Sequence, residues 1–439
     1  MRKYGKRYLG LLLAGSLLMG CGRGPGAVEQ LTPESSVPQS TVEDAGNTAD
    51  ENGSSERQTE QEPVWDRENG SSYGALQQFS YELMLENMEV SNLVLSPVSA
   101  YLALGMIGMG ADGETGQEFM EVMGSNMPAV SEILMSRYSQ EQEGLELTIA
   151  NSAWVDQQLT PKQQWLSDMQ EIFRGESYRG ELSSEAVMKQ INSWCSEKTR
   201  GLVPVMLNEP LSADTRLALL NAIYFKGDWQ NPFDAIDTAE RPFTREDGTE
   251  VQVETMCKSE AQLQYIHSDL GEGVVLPYLG GDFAYVAILP PEGTQVRELY
   301  RQLTPEALAE LLESENRELC DLRLPKYEIS FDRKLNSSLA AMGLEQAFDG
   351  ETADFSKLGD TEQNGTLYIS LVQQKAVFRV DEEGTEAAAV TVVIANEAAA
   401  LEIPEPRRLY FDRPFVYMIL DLENQVPLFV GILDDPSLK

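Results

Sequence analysis

Histidine is nearly absent: the 439 residues contain one, His267. A Ser-His-Asp triad would have to use it, and its surroundings, Ile266-His267-Ser268-Asp269, read as a turn without a nucleophile signature. One imidazole builds no zinc site when the four cysteines, Cys21, Cys195, Cys257 and Cys320, show no metal-ligand spacing. An enzyme on these residues has almost no chemistry to draw on, and neither a metal nor another cofactor is expected. Basic residues are scarce as well: 33 Lys and Arg face 71 Asp and Glu, a net charge of −38. Such a surface repels a phosphate backbone, which argues against a nucleic-acid partner and fits a solvated, soluble domain. Gly108-Met109-Gly110-Ala111-Asp112-Gly113 fits G-x-G-x-x-G but lacks the strand that must precede a nucleotide-binding turn. The Ala/Leu/Met-rich stretch before it reads as a helix, and the glycines as its stop.

What is present begins with an export signal. Arg2, Lys3, Lys6 and Arg7 form a basic head, and Tyr8 to Met19 an apolar stretch too short to span a bilayer. Leu18-Met19-Gly20-Cys21 resembles the bacterial lipobox, in which the cysteine is acylated and becomes the mature N-terminus. Residues 1–21 are then a lipoprotein signal, and the mature protein sits at the outer face of the cell membrane on a lipid anchor. The other reading is an ordinary cleaved signal with an incidental cysteine. With Cys21 acylated, three thiols remain, an odd number within apolar segments, so buried free cysteines are expected.

Residues 22–72 are polar, with 11 acidic and 3 basic side chains. They are expected to form a disordered tether, because they bury too little apolar surface to offset their ordering entropy. From residue 73 to 439 the pattern is that of one mixed domain. Leu76, Phe79, Leu83 and Met84, and likewise Val187, Ile191, Trp194 and Cys195, recur at helical spacing. Leu217–Phe225, Ala284–Leu289, Val416–Leu420 and Leu428–Leu433 read as buried strands.

The segment Asp381 to Leu401 stands apart. It opens on acids and a glycine, then alternates: Thr385, Ala387, Ala389, Thr391 and Val393 on one face, Glu386, Ala388, Val390, Val392 and Ile394 on the other. The first face is small, uncharged and able to pass between neighbouring strands. From pattern alone it also reads as a sheet strand that never leaves the core.

Its surroundings carry a resemblance. Glu382-Glu383-Gly384-Thr385-Glu386-Ala387-Ala388-Ala389 resembles the proximal hinge of inhibitory serpins. Asn92 to Ser99, Asn221-Ala222-Ile223-Tyr224-Phe225-Lys226-Gly227-Asp228-Trp229, Leu276-Pro277-Tyr278, Ala353-Asp354-Phe355-Ser356, Leu409 to Ile419 and Pro427 to Gly431 are similar to serpin motifs in family order. The resemblance spans nearly the whole chain from about residue 73.

The resemblance implies an α+β fold of three sheets and about nine helices, a single metastable domain with an exposed reactive loop near the C-terminus. It implies a monomeric suicide-substrate inhibitor of serine proteases that joins its target as a covalent acyl-enzyme and then inserts the cut loop into the main sheet. By the same resemblance Ala398 and Ala399 flank the scissile bond, with Glu397–Ala398 and Ala400–Leu401 the next candidates. Small residues there suit an elastase-like or subtilisin-like pocket. Ser96, Pro97, Ser99, Asn221 and Gln374 match the shutter that controls sheet opening. Gln374 stands where the family usually has His, so this position does not titrate near neutral pH. Trp229 matches the breach, where insertion begins; plain core packing is its other reading. A non-inhibitory serpin, acting as a binding protein at the cell surface, is the alternative function.

Overall fold

A computed structural model describes residues 28–33, 64–89, 91–140, 142–361, 367–385 and 405–438. Among them are nine α-helices and ladders of five, nine, two and two strands. The five-stranded sheet runs Glu29–Leu31, Glu176–Gly180, Leu145–Asp156, Leu217–Asp228, Gly384–Thr385. Its neighbours are antiparallel except Leu145–Asp156 and Glu176–Gly180, which are parallel. Leu217–Asp228 is the central strand, and its full length pairs with Leu145–Asp156 from Leu145↔Gly227 to Val155↔Leu217.

The nine-stranded ladder is built on Glu250–Ser268 and holds Phe283–Leu289, Phe415–Asp421 and Val426–Leu433, each buried throughout. Strands covered on both faces read as unbroken apolar runs, which is why these were legible as strands. Arg407–Tyr410 lies at its edge, parallel to Asn316–Pro325. Residues 386–404 thus join the end of one sheet to the edge of the other.

Helix Pro97–Gly108 is buried nearly all round between the sheets. Ser96 caps it and Pro97 occupies its first position, where a missing N–H costs nothing. It ends at Gly108, and a turn leads into helix Gly113–Met123, so the glycine motif is a helix stop. Helix Glu185–Lys198 covers the outer face of the five-stranded sheet. Val187, Ile191, Trp194 and Cys195 meet Trp154, Leu220 and Ala222 in a core of their own. Glu185 in its first turn and Lys198 in its last complement the helix dipole. Cys195, Cys257 and Cys320 are buried and unpaired.

The tether expected over residues 22–72 is structured at two places. Glu29–Leu31 pairs with Ser177–Arg179 on the sheet edge. Val28 and Leu31 bracket two polar residues, so one packs on each side of the sheet. Residues 64–72 lie on the domain: Trp65 packs against the main core, Arg67 pairs with Asp168 at 3.0 Å, and Asn126 Nδ2 donates to the carbonyls of Asn69 and Ser72. Composition averages over such short apolar contacts and conceals them. His267 is the penultimate residue of strand Glu250–Ser268 and is exposed; the turn begins just after it.

Candidate functional site

The hinge sequence builds a turn before it builds a strand. Asp381 Oδ1 accepts from the backbone N–H groups of Glu383 (3.0 Å) and Gly384 (3.3 Å), and Asp381 N–H donates to the Gly384 carbonyl (3.0 Å). The turn sets Gly384 and Thr385 antiparallel to the central strand, Gly384 opposite Asp228 and Thr385 opposite Gly227. A Cβ on Gly384 would stand 2.0 Å from the Gly227 carbonyl oxygen, so close backbone approach requires glycine here. The exposed loop that the resemblance implies therefore does not begin at Gly384: Gly384 and Thr385 are already paired in the intact chain.

Trp229 anchors this turn from three directions. Its N–H donates to the Glu383 carbonyl (2.8 Å) and its indole Nε1–H to the Asp381 carbonyl (2.9 Å). Its ring stacks on Tyr278 at 4.8 Å between centroids. Tyr278 is buried, and its hydroxyl bonds the Thr385 hydroxyl at 2.7 Å. Trp229 therefore does more than pack: it holds the point where the chain turns into the sheet.

Glu382 ties the same turn to neighbouring elements. It pairs with Lys326 at 3.0 Å, accepts from Thr238 Oγ1 at 2.8 Å, and its carbonyl accepts from Phe233 N–H at 2.8 Å. Lys258 steadies Phe233 from behind. Its ammonium donates to the carbonyls of Asn231 and Pro232 and lies 4.4 Å from the Phe233 ring centre, and burial pushes its pKa down to about 8. Burial raises the Glu382 carboxyl, but the Lys326 and Thr238 bonds outweigh it and leave its pKa below the ordinary 4.5. Its folded pKa being depressed, this stabilisation is complete at neutral pH and lost as pH falls below 4.5. Glu382→Lys sets two ammonium groups face to face. We expect a loss of about 2 kcal/mol, since the pair is only partly buried. The loss should read as a lower melting temperature at pH 7 that narrows towards pH 3; an unchanged melt would show the pair to be idle.

Below Thr385 the central strand offers an open edge. Among the described residues nothing pairs with this side of Leu217 to Lys226. Among the described residues the adjacent strand Gln373–Val380 pairs only with Tyr327–Lys334. The foot of the gap is an apolar recess between Met206, Leu207, Leu217, Leu219 and Leu371. The gap between the two strands is a slot for one more strand.

Ser96, Ser99, Asn221 and Gln374, the residues matching the shutter by resemblance, lie at this slot in two separate arrangements. Ser99 Oγ donates to Asn221 Oδ1, Asn221 Nδ2 to Asn151 Oδ1 (2.6 Å), and Asn151 Nδ2 to the Phe173 carbonyl (2.8 Å). Gln374 bonds the backbone of Ser96 twice, accepting from its N–H at 3.0 Å and donating to its carbonyl at 2.9 Å. Asn221 and Gln374 stand on opposite sides of the slot, each tied back to the segment Ser96 to Ser99. Asn151, 2% exposed, was not singled out in the sequence; a buried Asn on a strand facing another Asn was the available signal. Glu386, Ala387, Ala388, Ala389, Ala398 and Ala399 lie outside the described residues, as does Cys21.

The family model described as "Serpin (serine protease inhibitor)" matches residues 75–436. Alpha-1-antiproteinase S from Cavia porcellus is 31% identical over 369 residues, covering 82% of this chain and 88% of its own length. Iripin-2 from Ixodes ricinus is 33% identical over 382 residues, covering 84% of this chain and 94% of its own. The crystal structure of the thermophilic serpin Tengpin in its native state superposes with a TM-score of 0.76 at 30% identity, over 82% of this chain and 93% of that one.

Proposed function

The chain belongs to the serpin family, and from that membership we propose that it is a suicide-substrate inhibitor of serine proteases rather than an enzyme. The observation that carries this is the open edge of the central strand directly continuing an anchored hinge. A protease cuts the chain beyond the hinge and is held as the acyl-enzyme. The cut end then zips into the slot, and insertion must outrun deacylation.

The register fixes how far it can go. Gly384 faces Asp228 and Thr385 faces Gly227. Continued residue by residue, Glu386 faces Lys226 and Ala395 faces Leu217, the first residue of the central strand and the far end of its open edge. Ala398–Ala399 then falls just past the sheet, where a tethered protease would sit at its far end. Glu397–Ala398 and Ala400–Leu401 differ by one residue, so the register supports the region and mass analysis must choose within it.

The target class follows from composition. From Val380 to Pro406 there is neither Lys nor Arg. A trypsin-like pocket that needs a cation finds no bond to cut, whereas a shallow apolar pocket accepts Ala398. Incubation with elastase, subtilisin, chymotrypsin and trypsin, followed by denaturing gels, tests this. We expect a covalent complex with elastase or subtilisin, a released C-terminal fragment beginning at or next to Ala399, and no complex with trypsin. Clean cleavage by elastase, subtilisin or chymotrypsin without a complex would favour the binding-protein alternative.

We further place the inhibitor at the outer face of a bacterial cell membrane, monomeric and acylated on Cys21. The basic head, the short apolar stretch and the glycine before Cys21 support this.

A further inference from the structure

We propose that Ile236 is a docking knob, on which the target protease settles as it engages the loop and before any bond is cut. This docking presupposes the inhibitory action proposed above. Ile236 stands on the short helix Ala235–Asp237 and is 85% exposed. Scattered apolar residues on a surface are ordinary, but this one has a built support. Asp234 Oδ1 accepts from Ile236 N–H at 3.1 Å, and Asp237 N–H donates to the Asp234 carbonyl at 3.0 Å. Both feet of the turn stand on one hinge residue. Phe233 N–H donates to the Glu382 carbonyl (2.8 Å), and Thr238 Oγ1 donates to the Glu382 carboxylate (2.8 Å). Phe233 is itself buried beneath Lys258. An exposed apolar side chain on a rigid support loses little freedom on binding, which suits it to anchor an interface.

The knob also lies where the protease must come. Residues 386–404 leave the hinge after Thr385 and return to strand Arg407–Tyr410. Ala239, two residues past the turn, pairs with Thr255, Thr255 pairs with Pro325, and the strand holding Pro325 pairs with Arg407–Tyr410. Three strand spacings of about 4.8 Å put the turn's exit roughly 14 Å from the returning strand. The turn thus touches the hinge end of the loop and is a short step from the other end. A protease of about 230 residues, roughly 45 Å across, overhangs it when docked on that loop. Asp237 and Glu240 beside the knob are exposed carboxylates without an ion pair among the described residues. The protease face that fits is an apolar depression rimmed by Lys or Arg next to the active-site cleft. The contact is transient: the acylated protease leaves the knob behind when it is carried to the Leu217 end of the sheet. Its loss therefore shows in how fast the pair forms.

The test measures two quantities on the full chain with elastase and subtilisin. One is the second-order rate of covalent-complex formation. The other is the affinity for the same protease with its catalytic serine changed to alanine, which docks but cannot cut. Ile236→Asp should weaken that affinity and slow the rate by about tenfold or more, the range for losing a buried Ile contact. Asp237→Lys should slow the rate several-fold at low salt and less at high salt. Neither variant should shift the melting temperature, since both side chains are exposed. A parent that forms no covalent complex overturns the inhibitor reading and this proposal with it. A parent that traps, with Ile236→Asp trapping at the same rate and binding the inert protease equally well, overturns this proposal alone. A lower melting temperature with unchanged affinity does the same, because it assigns Ile236 to the fold.

Discussion

Thr385→Arg is expected to turn this inhibitor into a substrate. Thr385 is 3% exposed, and its hydroxyl bonds Tyr278 within a cluster of Tyr278, Phe225 and Trp229. An unpaired guanidinium there costs several kcal/mol. The intact chain escapes the cost only by withdrawing Gly384 and Thr385 from the central strand. The cut chain meets it at the first step of insertion, while deacylation by the bound protease is unchanged. The variant should yield cleaved inhibitor and free, active protease, with the covalent band lost from denaturing gels. Because Thr385 is already seated in the intact chain, the uncut variant should also melt a few degrees lower, roughly 2 °C for each kcal/mol at this chain length. Thr385→Ser keeps size and hydroxyl and should trap normally. A denaturant-resistant complex at parental stoichiometry in Thr385→Arg would refute insertion through this position.

The hinge was legible in the sequence because its constraints are local. Acids that close a turn, a glycine at a point of backbone contact and small alternating side chains each leave a mark on consecutive residues. The buried strands were legible for a similar reason, since covering both faces demands unbroken apolar runs such as Phe283–Leu289. The shutter was harder. Ser99, Asn221 and Asn151 lie far apart in the chain and meet only when helix Pro97–Gly108 packs on the sheet. Their family motifs pointed to Ser99 and Asn221, and nothing local pointed to Asn151. Gln374 was expected to join the same network; it bonds the Ser96 backbone instead, because an amide satisfies a peptide N–H and carbonyl at once. The N-terminal strand was invisible for a different reason. Val28 and Leu31 are two apolar residues in a polar segment, and only the edge of Glu176–Gly180 gives them something to pack against.

Cutting the chain past the hinge is expected to raise its melting temperature by tens of degrees. The open edge of the central strand is ten residues long, from Leu217 to Lys226. Its backbone groups on that side gain ladder partners only if a strand enters, and Gln373–Val380 gains them on its own free edge at the same time. Small side chains continuing the face of Thr385 would close the apolar recess at the foot of the slot. Thr391 would arrive opposite Asn221, a hydroxyl delivered beside the Ser99–Asn221 pair. If each filled position nets about 1 kcal/mol after its ordering entropy, ten positions give about 10 kcal/mol, or on the order of 20 °C. Calorimetry of the intact and elastase-cut protein measures this directly. An unchanged melting temperature would mean that the slot stays open after cleavage, and without that release of free energy nothing drives the acylated protease to the far end of the sheet faster than water can free it.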